Sequence, residues 1–330
     1  MRHLHSPRTV RQRGLTLVEL LVALALGTLI TLAAIAALTV SRQGFATVDA
    51  SAQLRDNARF ATTMIRRLVV QAGYLDFKYA SNTAASAFKT GDPSADGPEP
   101  NVKGFNNATF NESLVIGTTN TVSSSKQGLN NSDLLVLRYQ AGTVMKADGT
   151  EGPDQTMIDC SGATASAAPT SPTERIVSVF YVANGDDGEP SLMCAWRTSS
   201  GTWTQQPLVQ GVESLQVLYG VDGVTAGAAP TATTDGIPER YLRGDQLVAT
   251  SAADTNANWE RVRSIRVGLV LRGPPGSAPE STVPAQYPLG TKDLMNAADD
   301  AGSTFAAQSD GRLRQTATFT IHLRNRQDLL

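Results

Sequence analysis

The sequence predicts an α+β chain, one long N-terminal helix packed on an antiparallel β-sheet with long loops. Three observations predict it. An apolar run fills residues 20–40, interrupted only by Thr28, Thr31 and Thr39. Behind it an apolar stripe with helical spacing continues, with no proline, to Tyr74. After that, short apolar stretches alternate with Gly-, Pro- and Asn-rich connections, the pattern of strands and turns.

The apolar run comes first. About 20 helical residues cross a hydrocarbon core of ~30 Å, so 15–40 is long enough to span a bilayer. Arg2, Arg8, Arg11 and Arg13 precede it, and no further Lys or Arg follows until Arg42. That asymmetry predicts a cytoplasmic N-terminus in the inner membrane, with the bulk of the chain on the far side. Residues 1–14 contain no acid, and removing their four arginine charges from a net −2 leaves the rest at about −6. An acidic body argues against a nucleic-acid partner. A secretory signal would have a shorter apolar core and a small-residue cut site after it. A plain anchor accounts for the length but not for Glu19, an acid that costs ~3 kcal/mol in hydrocarbon unless paired.

The second half of the helix differs. Leu54, Ala58, Ala61, Ile65, Leu68 and Ala72 are spaced 4, 3, 4, 3 and 4 apart, one stripe on a 3.6-residue period. Arg55, Arg59, Arg66 and Arg67 fall mostly off that stripe. The helix is expected from about Leu15 to Ala72, about 85 Å at 1.5 Å per residue. Gly27, Ser41 and Gly44 are soft points, and Gly73 is the expected stop.

The strand-like runs are 133–140, 175–184, 190–197, 211–222, 259–272 and 312–325. The second and third flank "GDDGE", a hairpin connection. In the last, Phe319, Ile321 and Leu323 face away from Thr318, Thr320 and His322. The connections 223–258 and 273–311 read as surface loops, with a short helix at 292–300.

Little in the chain suggests catalysis. His3 and His5 precede the apolar run, and His322 lies on a polar strand face. No HExxH, GxSxG or phosphate-binding loop is present, and no cofactor is expected. Cys160 and Cys194 are too far apart for a CxxC centre; they form either a disulfide or two separate thiols. Asp186, Asp187 and Glu189 offer hard oxygen ligands that suit calcium, but without EF-hand spacing, and Asp-Gly turns arise for backbone reasons alone.

"RGLTLVELLVALAL" resembles the N-terminal signal of type IV pilins and type II secretion pseudopilins. The resemblance implies a cut between Gly14 and Leu15 by a prepilin peptidase, which also N-methylates Leu15. Glu19 then becomes the fifth residue of the mature chain and an assembly residue, paired with the new α-amine of a neighbouring subunit. Leu15 stands where the family most often has Phe. "LRDNARFATTMIRRLVVQAGY", "LVQGVESLQVLYGVD" and "TFTIHLRN" resemble the PilW minor pilins, and more distantly the J-type minor pseudopilin. Many PilW chains carry a Cys shortly after the Ala-Gly-Tyr; here the residues are Leu75, Asp76 and Phe77. That departure favours pairing of Cys160 with Cys194. The implied organisation is a leader (1–14), an N-terminal helix (15–75) and a periplasmic or extracellular body (76–330). The implied role is pilus assembly in a priming or tip complex. Its partners would be other minor pilins, the major pilin, a tip adhesin and, before assembly, inner-membrane lipid. A minor pseudopilin of type II secretion and a non-assembling membrane-anchored binding module are the alternatives.

Overall fold

The computed structural model describes residues 14–80, 99–117, 120–171, 174–278, 284–290, 300–306 and 308–325. The leader and the helix expected at 292–300 lie outside these, except Gly14 and Asp300. By contact the chain forms two compact units, Met1–Asp49 and Ala50–Leu330.

The first unit holds the apolar part of helix α1 (Leu17–Gln71). Almost every side chain there is exposed, Leu17, Leu29 and Val40 among them. Its threonines do not leave hydroxyls unsatisfied. Thr28, Thr31 and Thr39 donate back to the carbonyls of Ala25, Thr28 and Ala36 at 2.8–2.9 Å. The backbone and these hydroxyls are thus satisfied within the helix, as an apolar solvent requires.

The second unit begins with the amphipathic part of α1. Leu54, Ala58, Ala61, Ile65, Leu68 and Ala72 are buried, the stripe the spacing predicts. Gly73 ends the helix at φ 76°, a conformation glycine adopts without a Cβ clash, and its N–H donates to Arg138 O at 2.9 Å. The helix's last carbonyls need partners. Asn325, near the other end of the chain, donates its Nδ2 to the carbonyls of Val70, Gln71 and Ala72. Gln71 itself exchanges two hydrogen bonds with the backbone of Ile158.

The body continues with α2 (Phe77–Ala80), β1 (Val102–Phe105), α3 (Glu112–Val115), β2 (Leu134–Tyr139), β3 (Thr143–Met145) and β4 (Glu151–Pro153). Then come β5 (Ile176–Asn184), β6 (Pro190–Arg197), β7 (Trp203–Gln210), β8 (Val212–Val221) and β9 (Arg240–Leu242). Last are α4 (Ala252–Glu260), β10 (Val262–Arg272) and β11 (Arg314–His322). The expected single sheet is divided into a five-stranded sheet ordered β1-β2-β5-β6-β7, a four-stranded sheet ordered β11-β10-β8-β9 and the ribbon β3-β4. All pairings are antiparallel.

One apolar cluster joins the helix stripe to both large sheets, through Leu137, Phe180 and Leu192 on one and Leu215, Val217, Ile265 and Leu269 on the other. A second cluster covers the opposite face of the five-stranded sheet, where Leu134, Val136, Val179 and Tyr181 meet Leu114 and Val115 of α3. Burial on both faces explains why β2 reads as continuous apolar sequence rather than an alternation.

Two connections differ from expectation. Residues 223–258 are not simply a surface loop, since they contain β9 and most of α4. Trp259, expected at the head of a strand, lies in the last turn of α4 and meets Tyr219 edge-on with ring centroids 4.8 Å apart. Strand β7 was not expected because its glutamines and Pro207 dilute the apolar pattern; it is an edge strand, where proline is tolerated.

Candidate processing and assembly site

Gly14 and Leu15 are exposed, and a Cβ built on Gly14 would meet nothing within 4 Å. Helix α1 starts just beyond them. Its first turn has free N–H groups that a nearby acceptor can satisfy. Glu19 Oε2 accepts from Thr16 N and from Thr16 Oγ1, both at 3.0 Å, while Glu19 N donates to Thr16 Oγ1 at 3.3 Å. This reciprocal arrangement is a capping box. Thr16-Leu17-Val18-Glu19 carries its T-x-x-E signature in plain sight, and the sequence reading did not use it. Glu19 is therefore an acid with a structural use at the helix start. The same geometry holds its carboxylate on Thr16, the residue next to Leu15, where a cut after Gly14 would create an α-amine.

In the body, Cys160 and Cys194 form a disulfide with a Cα–Cα distance of 5.8 Å. Both are fully buried, and Cys160 N donates to Ser178 Oγ at 3.0 Å. The bond fastens the loop after β4 to β6, beside the place where Gln71 holds Ile158.

The acids considered for calcium do not act as one ligand set. Glu189 turns away to two arginines, accepting from Arg272 Nη2 at 2.8 Å and from Arg312 Nη2 at 2.9 Å. Asp187 accepts from Glu189 N at 3.0 Å, closing the hairpin turn, and from the side chain of Gln210. The acids whose oxygens converge, among the described residues, are Asp222, Asp235 and Glu239. Asp222 already accepts from Gly236 N, Thr234 and Arg263, so this group is explained by its loop. His322 is exposed at the end of β11.

Other acids are structural. Asp133 is buried, accepting from Asn107 N at 2.9 Å and Val217 N at 2.7 Å. It ties the start of β2 to β8 of the other sheet. Burial, and secondarily the charge of Asp300, pushes its carboxyl well above the usual range. Glu213 pairs with Arg272 and Arg314, and Asp310 with Arg314, extending the ion network that begins at Glu189.

Comparison with known proteins matches this arrangement at both ends. Residues 10–35 match the family described as the prokaryotic N-terminal methylation motif. Residues 179–325, from β5 through β11 to the helix-capping Asn325, match the family described as type IV pilus-assembly protein W. No curated protein matches the chain. Among solved structures, the type IV-like pilin TTHA1219 from Thermus thermophilus is 14% identical over 83% of this chain and 98% of that one, with a TM-score of 0.37. The methylation motif across the start of a membrane-length helix and the W-type match over residues 179–325 together support a type IV pilus minor pilin of the PilW type.

Proposed function

We propose that the chain is cut between Gly14 and Leu15, is N-methylated on Leu15, and enters a priming or tip complex with other minor pilins. The methylation motif implies a prepilin peptidase as processing enzyme, and the family implies other pilins as partners. The observation that carries the reading is the exposed helix start, with Glu19 held at its first turn directly after Gly14. Before assembly, α1 anchors the chain in the inner membrane, with the N-terminus cytoplasmic and residues 76–330 periplasmic. In the assembled state the α-amine of one subunit neutralises Glu19 of its neighbour. Such a pair sets register more than it adds raw stability. Small residues along the helix (Ala23, Ala25, Gly27, Ala33, Ala34) allow close helix approach. The W-type match weighs for a pilus over a secretion pseudopilus. The chain's role is structural, and the chemistry is the peptidase's.

The test is mass analysis of the protein from its host. Mature chains should begin at methylated Leu15, and Gly14→Val should leave the precursor intact; a mature N-terminus in that variant removes the assignment. Glu19→Ala should still insert in the membrane but be depleted from sheared filaments; equal recovery removes the pairing.

A further inference from the structure

Within the body, helix α1 has a second face. Residues 50–72 bury one apolar stripe and expose Arg55, Arg59, Phe60, Arg66 and Arg67. At 3.6 residues per turn, Arg55, Arg59 and Arg66 fall within about 40° of one another around the helix. They form a row about 17 Å long, turned away from the buried stripe. Phe60 and Arg67 flank that row, within about 20° of each other. Phe60 is half exposed, although the other apolar side chains of this half-helix mostly follow the stripe inward.

Charge sets this face apart from an ordinary solvated one. Asp56 is the only acid in residues 50–72, against four arginines, a net +3. Residues 73–330 hold 19 Lys and Arg against 27 Asp and Glu, a net −8. Positive charge is thus segregated on the helix. None of the four arginines forms an ion pair among the described residues, Asp56 included as a partner. Arg55 Nε donates instead within the helix, to Ser51 O at 3.2 Å. In the ion network of the sheets, by contrast, Arg272, Arg312 and Arg314 each meet a carboxylate. An aromatic ring set among unpaired arginines is the composition found at the energetic centres of protein interfaces.

We infer that this face docks the acidic helix face of a different pilin subunit, with carboxylates on the Arg55–Arg59–Arg66 row and an apolar contact at Phe60. The inference rests on the reading above, in which the apolar half of α1 packs among helices of other pilins, and extends that contact to residues 50–72 of the same helix. A straight row of this length is matched by another helix that repeats carboxylates on one side. Each guanidinium takes a carboxylate through paired N–H donors. A second copy in the same register would set arginine against arginine, and like charges opposed across an interface exclude a partner. The basic row therefore selects an unlike neighbour.

The face is tested on the full chain in its host, with the photo-crosslinker p-benzoylphenylalanine in place of Phe60 and mass analysis of the adduct. The adduct should join Phe60 to an acidic stretch in the N-terminal helix of another pilin. Arg59→Glu with Arg66→Glu should lower its yield at least about tenfold, whereas Arg59→Lys with Arg66→Lys should keep most of it. Changing the facing carboxylates of the crosslinked pilin to lysine should restore the yield in the double-glutamate variant. Both arginines are exposed, so the urea midpoint of the body should not move; if the double variant does not fold, Arg59→Glu alone decides. No adduct, an adduct with a second copy or with lipid, or a yield indifferent to charge reversal overturns the proposal. The N-terminal mass of the same samples separates the two readings. Chains that begin at Leu15 but crosslink without regard to charge sink the docking face alone, whereas chains that keep residues 1–14 sink the processing reading beneath it.

Discussion

Leu29 and Leu68 stand on the same helix in opposite circumstances. Leu29 is 63% exposed and Leu68 is fully buried, although both are leucines in good helical sequence. Around Leu29 nearly every position is apolar, so no face is distinguished, and no residue among those described covers it. Around Leu68 the apolar residues fall on one stripe, and two sheets supply a partner for that stripe. The two stretches teach what an apolar residue needs from its sequence. A stripe specifies an intramolecular partner; uniform apolarity specifies a surrounding phase, here a membrane or other helices.

Substitution of glycines is the harshest way to break this contrast. A Cβ at Gly104 would lie 1.7 Å from Tyr219 Oη, and Tyr219 is fixed edge-on against Trp259. A Cβ at Gly27 would meet nothing within 4 Å. Gly104→Ala should therefore abolish recovery of folded body, while Gly27→Ala leaves it unchanged. The readout is tryptophan fluorescence in detergent, because Trp196, Trp203 and Trp259 all belong to the body. A cooperative, wild-type-like transition in Gly104→Ala would show that the Tyr219 packing is not rigid.

The disulfide should come next in size. The paired cysteines are 34 positions apart, and closing a loop of that length constrains the unfolded chain by about 3–4 kcal/mol. The double substitution Cys160→Ser and Cys194→Ser should lower the urea midpoint accordingly. A single substitution should do at least as much, since it also leaves a lone buried thiol.

Leu68→Ala against Leu29→Ala sharpens the opening comparison directly. The first deletes a fully buried side chain and should destabilise the body by about 3 kcal/mol. The second removes no contact within the body, and its unfolding should shift by less than about 0.5 kcal/mol. A comparable loss for Leu29→Ala would mean that residues 17–49 contribute to body stability.

The same contrast governs how much could be read in advance. The helix stripe was legible because burial repeats with the helical period, and five of its six predicted residues lie within α1, with Ala72 one residue beyond its end. The hairpin of β5 and β6 was legible because "GDDGE" has few conformations open to it, with Gly188 at φ 76°. The division into two sheets was not legible, because strand patterns report which face is buried and not against which partner. Helix α4 was missed although Ser251 caps it through Asp254 N at 3.0 Å, a signal present in "SAAD". Its apolar content is too low to mark a period, and capping chemistry alone announces it. At the proposed site, the roles given to Gly14, Leu15 and Glu19 rest on motif, whereas the Thr16–Glu19 cap lies in the spacing of T-x-x-E. Asn325 could not be found from spacing at all, because its partners are the carbonyls of a helix some 250 residues earlier.

Acid should produce the smallest effect, and one confined to the body. Glu189 is held below its usual range, first by the hydrogen bond from Arg312, and Asp310 likewise by Arg314. A carboxyl depressed in the folded state contributes stability that is complete above its unfolded value, about 4, and is lost as pH falls through the folded value. Asp133 and Asp300 act oppositely, since burial raises both. Their ionisation opposes folding at neutral pH, and protonation relieves that as pH falls. The urea midpoint of the body should therefore hold or rise slightly from pH 7 toward pH 5, then fall below about pH 4. Glu189→Gln should shrink the acid-side fall, by no more than about 1 kcal/mol because the pair is partly exposed. Superimposable wild-type and Glu189→Gln profiles below pH 4 would show that the arginines hold Glu189 no better in the folded chain than water does in the unfolded one. The ion network would then be a consequence of how the two sheets pack and not a cause of it.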